Sequence, residues 1–471
     1  MEISKFQKII AVAVAALVLF GGIAYFSFGG SHGGITVDLV DFDYDEAYVD
    51  MQNLTDIGPR VPGTANGLLG AEYVEKRFSE AGLANVHIEA HEVTTFEVNR
   101  ASLSLIIYGL RNRETNYVHI RDFVLYQYSG SSNGEITLDI VDVGDGSEES
   151  FEGLDVNGKA VITTQQALPR AADHGARAVI VQNLRAGKSM GYPPYVGGLY
   201  GSDENGDGIP YPDANPNAVV PTCAVSKKVG DEIKDAISNA RTIPILGTST
   251  VRIQLNFDTT IAKNNIHNVV GDVPGSDKNS GIIYAIAHRD TTYINPGAVD
   301  NAVGTVTIME MARQMAKYDL KKTMRFISAD AEEKGLLGAF EYVKAHEEEV
   351  KGKGIICMNF DMNDVNLARV DTLEVTISNK EYQNKLSDIK DRMFEKYPIM
   401  ASKYKINISE GGGGPDAAPF MKRGIDGSFA MGEWGSSVEY HTQWDTIEHV
   451  NKESWLLSGV MFGTLALEIG G

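Results

Sequence analysis

The chain has 471 residues, too many for one small core, and its 43% hydrophobic content with 49 glycines describes an ordered, loop-rich α/β protein of two or three domains. A formal charge of −21 excludes nucleic acid as a partner, because grip on a phosphate backbone needs clustered Lys and Arg. The two cysteines, Cys223 and Cys357, form no disulfide framework and read as buried small side chains.

Ile9–Phe28 carries no charge over twenty residues, enough to cross a hydrocarbon core of about 30 Å as a helix. Lys5 and Lys8 precede it and Asp38, Asp41 and Asp43 follow. The cation excess keeps the N-terminus inside and exports the rest, so we expect a single-pass membrane anchor with the bulk outside the cytoplasm. A cleaved signal peptide, with secretion, is the alternative, and Gly21-Gly22-Ile23-Ala24 offers a cleavage site.

Beyond a polar linker, residues 1–34 giving way to the folded part, Gly58-Pro59-Arg60-Val61-Pro62-Gly63 is turn chemistry holding a single Arg. It is either a plain loop or a tie between the next helix and a site. That helix is predicted over Ala65–Ala81, with Leu68, Leu69, Tyr73, Val74 and Phe78 on one face and Gly82 as the stop. Residues 123–250 change texture: short strands at Glu135–Val143, Lys159–Thr164 and Ala176–Gln182 alternate with helix-like Leu168–Gly175 and Lys227–Ser238. We read them as a small α/β domain inserted into a larger one made of 35–122 and 251–471. Within it, Asp203, Asn205 and Asp207 match the first half of a calcium loop, although Ala214 stands where the bidentate Glu belongs and Asp213 is one residue early.

From Ile266 onward, Gly281–Ala287, Val303–Tyr318, Thr323–Ala329, Lys334–Ala345 and Gly354–Met362 alternate strand and helix. That order predicts an α/β fold with a mixed, largely parallel sheet covered by helices on both faces. Ligands then sit beyond the C-terminal strand ends. The chemistry-bearing residues gather at those ends. His288 and Asp290 emerge two residues apart, and Asp290 is placed to hold the second nitrogen of a ligating imidazole. Asp300 either caps the helix at Val303 or bridges a pair of cations. Glu332 and Glu333 are an awkward adjacent pair unless a cation or proton is shared; either Glu333 is a ligand and Glu332 a general base, or the pair is the acid-rich N-terminus of the next helix. Asp361 ends a strand buried on both faces, and His441 follows Tyr440 in the last motif. His288, Asp300, Glu333, Asp361 and His441 make a mixed nitrogen and oxygen set of the kind zinc accepts. Two cations would share Asp300 and one water, which would act as a bridging hydroxide nucleophile.

In order, His288-Arg289-Asp290, Gly297-Ala298-Val299-Asp300-Asn301, Glu332-Glu333 before Gly335-Leu336, Asn359-Phe360-Asp361 and Tyr440-His441-Thr442 before Asp445-Thr446 resemble the M28 family of zinc aminopeptidases and carboxypeptidases. The similarity spans nearly all of Asp56–Val450. The inserted region, with Gly158-Lys159-Ala160-Val161 and His174-Gly175-Ala176-Arg177-Ala178-Val179-Ile180, resembles a protease-associated (PA) domain. The resemblance implies two zinc ions per chain: His288 and Asp361 on one, Glu333 and His441 on the other, and Asp300 between. It also implies Glu332 as acid/base, Tyr440 as hydrogen-bond donor to the oxyanion, and Asp290 orienting His288.

The expected activity is hydrolysis of the terminal peptide bond of a peptide substrate. Carboxylates suit a free amine and Arg or Lys a free carboxylate, so Glu433 and the acidic balance favour an aminopeptidase; a carboxypeptidase on the same metal core stays open. So do a metal-free receptor homologue and a one-zinc glutaminyl cyclase-like acyltransferase. Trp434 and Trp444 are candidate walls of an apolar pocket. Pro415-Asp416-Ala417-Ala418-Pro419-Phe420 departs from the family, where many relatives have Ser-Asp-His before the Phe, so side-chain preference is not carried over.

Overall fold

The computed structural model describes residues 37–471, apart from 110, 241, 244–246 and 433–438 and the side chains of 242, 243, 247 and 248. The apolar run Ile9–Phe28, Glu433 and Trp434 therefore lie outside the described residues. Among those described, no helix is long and apolar enough to cross a membrane.

Helix α1 (Tyr44–Asp56) starts at Asp43, whose carboxylate accepts from Asp45 N and Glu46 N, and α2 (Ala65–Glu80) starts at Thr64 and stops before Gly82, at φ +83°. Strand β1 (Ala84–Tyr108) follows, and then the segment expected to be an insert, with β2 (Ile136–Asp142), β3 (Ala160–Thr163), β4 (Ala178–Gln182), β5 (Thr222–Val225) and α3 (Lys227–Ser238). The chain returns through β6 (Thr250–Val273) and alternates β7 (Ile282–His288), α4 (Val303–Met315), β8 (Thr323–Ala329), α5 (Leu337–Ala345) and β9 (Gly354–Phe360). It ends with β10 (Thr372–Ile377), α6 (Lys380–Lys396), β11 (Lys405–Glu410), β12 (Asp426–Met431) and α7 (Trp455–Gly470).

The strands join in the order β11-β10-β12-β9-β7-β8-β6-β2-β3-β4-β5, with β1 paired to β6. Pairs β7/β8, β7/β9, β9/β12, β2/β3, β3/β4 and β4/β5 are parallel, while β6 runs antiparallel to β8, β1 and β2. The expected mixed, largely parallel sheet is present. What the sequence did not reveal is that β1 and β6 pair almost end to end, from Ala84↔Asp272 to Tyr108↔Thr250. These two strands run from the helix-covered sheet into the β2–β5 region, so both regions share one hydrogen-bonded network, and Val37–Gly471 forms one compact unit.

Period-two alternation sorts the core. On β7, Ile283, Ala285 and Ala287 pack with residues of α1, α2, α4, α6 and α7, while Ile282, Tyr284 and Ile286 face α5 and Phe420. The helices thus cover both faces. The β2–β5 region has its own apolar layers, one around Ile140, Ile162, Ile180 and Ile253, the other around Val161, Val179 and Tyr128. Parallel register sets His288 beside Ala329 and Ile286 beside Asn359. The C-terminal ends of β7, β8 and β9 are therefore neighbours, which brings their following loops to one place.

Candidate metal centre

Two groups of side chains at these strand ends have ligand atoms within 4.8 Å of one another: His288, Asp300 and Asp361, and Asp300, Glu333 and His441. Asp300 belongs to both through different oxygens. Its Oδ1 lies 3.4 Å from His288 Nε2, which is 3.5 Å from Asp361 Oδ1. Its Oδ2 lies 3.3 Å from His441 Nε2, which is 2.9 Å from Glu333 Oε2. Donors tetrahedrally placed at zinc bonds of about 2.0–2.1 Å lie roughly 3.3 Å apart, so the set fits a pair of such ions. His288 Nε2, Glu333 Oε1 and Asp361 Oδ1 are buried with no hydrogen-bond partner, a costly state for polar atoms unless a cation takes them. All five residues expected as ligands come together.

Second contacts fix the ligands. His288 Nδ1 lies 3.2 Å from the Asp290 carbonyl and 3.5 Å from its carboxylate, as expected for an orienting partner. The Asp290 carboxylate does more, accepting from Glu332 N at 3.0 Å and Glu333 N at 3.2 Å. It thereby ties the β7 and β8 loops together. The Asn301 side chain likewise donates to Phe360 O at 2.9 Å and accepts from Met362 N at 3.2 Å, joining the Asp300 and Asp361 loops. Ala331, Met362 and His441 hold φ values of 57°, 50° and 54°, strained settings for residues with a Cβ, here flanking or at the ligands.

Arg60 is fully buried and resolves the two readings of its turn. Its guanidinium donates to the carbonyls of Arg289 (2.7 Å), Leu54 (3.2 Å), Pro296 (2.6 Å) and Gly297 (3.0 Å). It is a strut beneath the loop from His288 to Asp300, and burial lowers its pKa to about 10.

Several functional contacts escaped sequence reading. Asp445 accepts from Val299 N at 2.6 Å and Asp300 N at 3.0 Å, holding the backbone of the shared carboxylate. Its only signal was its place in the motif after His441. Residues 123–250 supply the rest: His441 Nδ1 donates to Val196 O at 2.7 Å, and Gln127 Nε2 donates to Glu333 Oε2 at 3.5 Å. A backbone carbonyl leaves no mark in a sequence. Lys334, buried, places its ammonium 5.3 Å from the Phe96 ring and 5.8 Å from that of Tyr128, with a pKa lowered by burial to about 8.

A cleft opens onto the centre, lined by Asp300, Glu332, Asp361 and His441, an apolar wall of Met362, Pro415, Phe429 and Met431, and Tyr440, Arg185 and Tyr200. Glu332 faces this cleft while Glu333 turns inward, 16% against 2% exposed. Burial, then the carboxylates of Asp416, Asp361 and Glu333, push Glu332 well above the usual carboxylate range. Tyr440 stacks on His441 with ring centroids 3.8 Å apart, and burial raises its phenol, keeping it a donor. Asp416 is buried behind the wall and raised by burial to about 7. Trp444 is not among the residues lining the cleft.

The calcium expectation is not confirmed. Asp207 is clasped by the guanidinium of Arg423 at 2.7 and 3.0 Å, with Lys422 beside it, and Asp203 Oδ1 closes the turn onto Asn205 N and Asp207 N. Cationic side chains already take the charge that a calcium ion would need.

The model of "Peptidase family M28" matches residues 268–462. Aminopeptidase YwaD of Bacillus subtilis is 26% identical over 433 residues, 88% of this chain and 82% of its own length. A probable leucine aminopeptidase 2 of Aspergillus oryzae is 26% identical over 49% of this chain, which spans 43% of that protein. In fold, a peptidase M28 precursor of Shewanella amazonensis superposes with TM-score 0.69 at 19% identity, covering 90% and 93% of the two chains. The zinc aminopeptidase BSAP of Bacillus subtilis gives 0.66 at 23%, covering 91% and 95%. With the paired candidate ligand groups at the strand ends and the family match over the segment that supplies them, the chain is a metallopeptidase.

Proposed function

We propose that the protein is a two-zinc aminopeptidase that removes single residues from the amino ends of peptides. The observation that carries this is the division of Asp300, one oxygen toward the His288 group and the other toward the His441 group. Two zinc ions, when bound, supply the charge that lowers the pKa of a shared water and polarises the substrate carbonyl. Glu332 takes the proton of the attacking water and returns it to the leaving amine, a task suited to a carboxyl that burial holds above the usual carboxylate range. The Tyr440 hydroxyl donates to the developing oxyanion, a contact typically worth about 3–4 kcal/mol. Asp290 and Val196 O hold the two imidazoles in the tautomer that leaves Nε2 free to ligate.

Carboxylates around the reacting centre suit a substrate's free amine, and relatives named as aminopeptidases support that polarity. The apolar wall of Met362, Phe429 and Met431 suits an aliphatic first side chain. The insert, PA-like in sequence, serves to hold His441 and to border the cleft. The catalytic part works outside the cytoplasm, anchored by Ile9–Phe28. The test is a panel of amino-acid p-nitroanilides and N-acetylated peptides, with zinc measured on the same sample. Free-amine substrates should be cleaved and acetylated ones refused; cleavage of acetylated peptides from their carboxyl end would replace the reading with a carboxypeptidase.

A further inference from the structure

Among the described residues lining the cleft, three are carboxylates and one is a guanidinium, Arg185. It comes from the insert, in the loop after β4. That loop is built to be firm. Asn183, 1% exposed, accepts from Arg185 N at 2.8 Å and Ala186 N at 3.1 Å, and donates to Ala186 O at 2.9 Å and to Pro193 O. The Arg185 side chain then leaves this fixed backbone exposed, with no hydrogen bond or ion pair to any described residue. In a chain with 63 acidic against 42 basic side chains, carboxylates are plentiful: Arg423 has Asp207, and Arg369 has Glu439. A preorganised guanidinium in a cleft, with no partner among the described residues, is the geometry for taking a carboxylate from a ligand.

We infer that Arg185 is a specificity-determining residue that binds a carboxylate on the leaving-group side of the substrate. This rests on the aminopeptidase reading. The residue to be removed presents an ammonium and, against the apolar wall, an uncharged side chain. The anionic groups of such a peptide therefore lie beyond the scissile bond. They are the terminal carboxylate of a dipeptide, or an acidic side chain on the leaving residue. Arg185 biases the enzyme toward short or acidic leaving groups.

The test compares the wild-type holoenzyme with Arg185→Gln and Arg185→Lys on Leu-Leu, Leu-Leu-amide and Leu-Glu-amide. The ratio of kcat/KM for Leu-Leu over Leu-Leu-amide should fall about ten-fold in Arg185→Gln, through KM, with partial rescue in Arg185→Lys. If the acidic side chain is the source, the ratio of Leu-Glu-amide to Leu-Leu-amide falls instead. Both ratios equal in wild type and Arg185→Gln would overturn the inference. Refusal of all three by a zinc-loaded wild type that cleaves acetyl-Leu-Leu would instead sink the aminopeptidase reading.

Discussion

Replacing Asp445 by Asn tests how far metal binding depends on a residue that touches no metal. Its two oxygens accept separate backbone N–H groups, Val299 at 2.6 Å and Asp300 at 3.0 Å. Asparagine offers one carbonyl oxygen, and its amide group faces the second N–H donor to donor. One buried N–H is left unsatisfied, at about 1–3 kcal/mol, and the remaining bond loses its charge, about 1 kcal/mol more. If the whole of roughly 2–4 kcal/mol fell on folding, Tm would drop by only about 2–4 °C, because a unit this size unfolds with close to 0.9 kcal/mol per degree. The freed backbone is that of Asp300, however, so both ligand groups loosen. Metal affinity should fall 10–100-fold, as for other contacts that orient a ligand. Zinc retained against graded chelator, with kcat at saturating zinc, reads this out. Wild-type retention of both ions would refute the argument that Asp445 holds the shared carboxylate in place.

Glu332→Gln should keep both metals, since its carboxylate faces the cleft, yet lose turnover by at least a hundred-fold; zinc content and kcat on one sample decide it. Arg60→Lys concentrates at one nitrogen the donors that now reach four carbonyls. Losing two of those bonds costs about 2–4 kcal/mol, a Tm lowered by roughly 2–4 °C by calorimetry. Glu89 accepts from His87 at 3.0 Å and His346 at 2.9 Å, which lowers Glu89 and raises His346 from their ordinary values. The raised imidazole contributes stability below its unfolded value near 6.5 and loses it as pH rises through the folded one; the lowered carboxylate contributes above about 4.5. The Tm difference between wild type and Glu89→Gln should therefore be largest near pH 5–6 and shrink by pH 8. A difference that is flat or grows with pH contradicts the assignment.

The elements legible in the sequence were those whose signal is local. The Ala65 helix carries its own cap and glycine stop, and β7, β8 and β9 are short apolar runs that can only be buried. Strands β1 and β6 were not legible, because each is half polar and its partner lies far away in sequence, from Tyr108↔Thr250 to Ala84↔Asp272, so register rather than periodicity defines it. Helix α1, with only Ala47, Met51 and Leu54 as its buried apolar positions, was also passed over. At the site, the five candidate ligands could be named because their order and chemistry resemble a known pattern. Val196 works through a carbonyl, Gln127 reaches Glu333 from far off in sequence, and Arg185 needs the fold to bring its loop to the cleft. Asp445 stood in view, but its task depends on the Asp300 backbone, which no spacing reveals.

Metal analysis of the purified chain and three single variants bears most directly on the binuclear centre. Wild type should hold two zinc ions, His288→Ala and His441→Ala one each, and Asp300→Ala neither under the same dialysis. One ion in the wild-type protein, or two in Asp300→Ala, would contradict a centre built on a divided carboxylate.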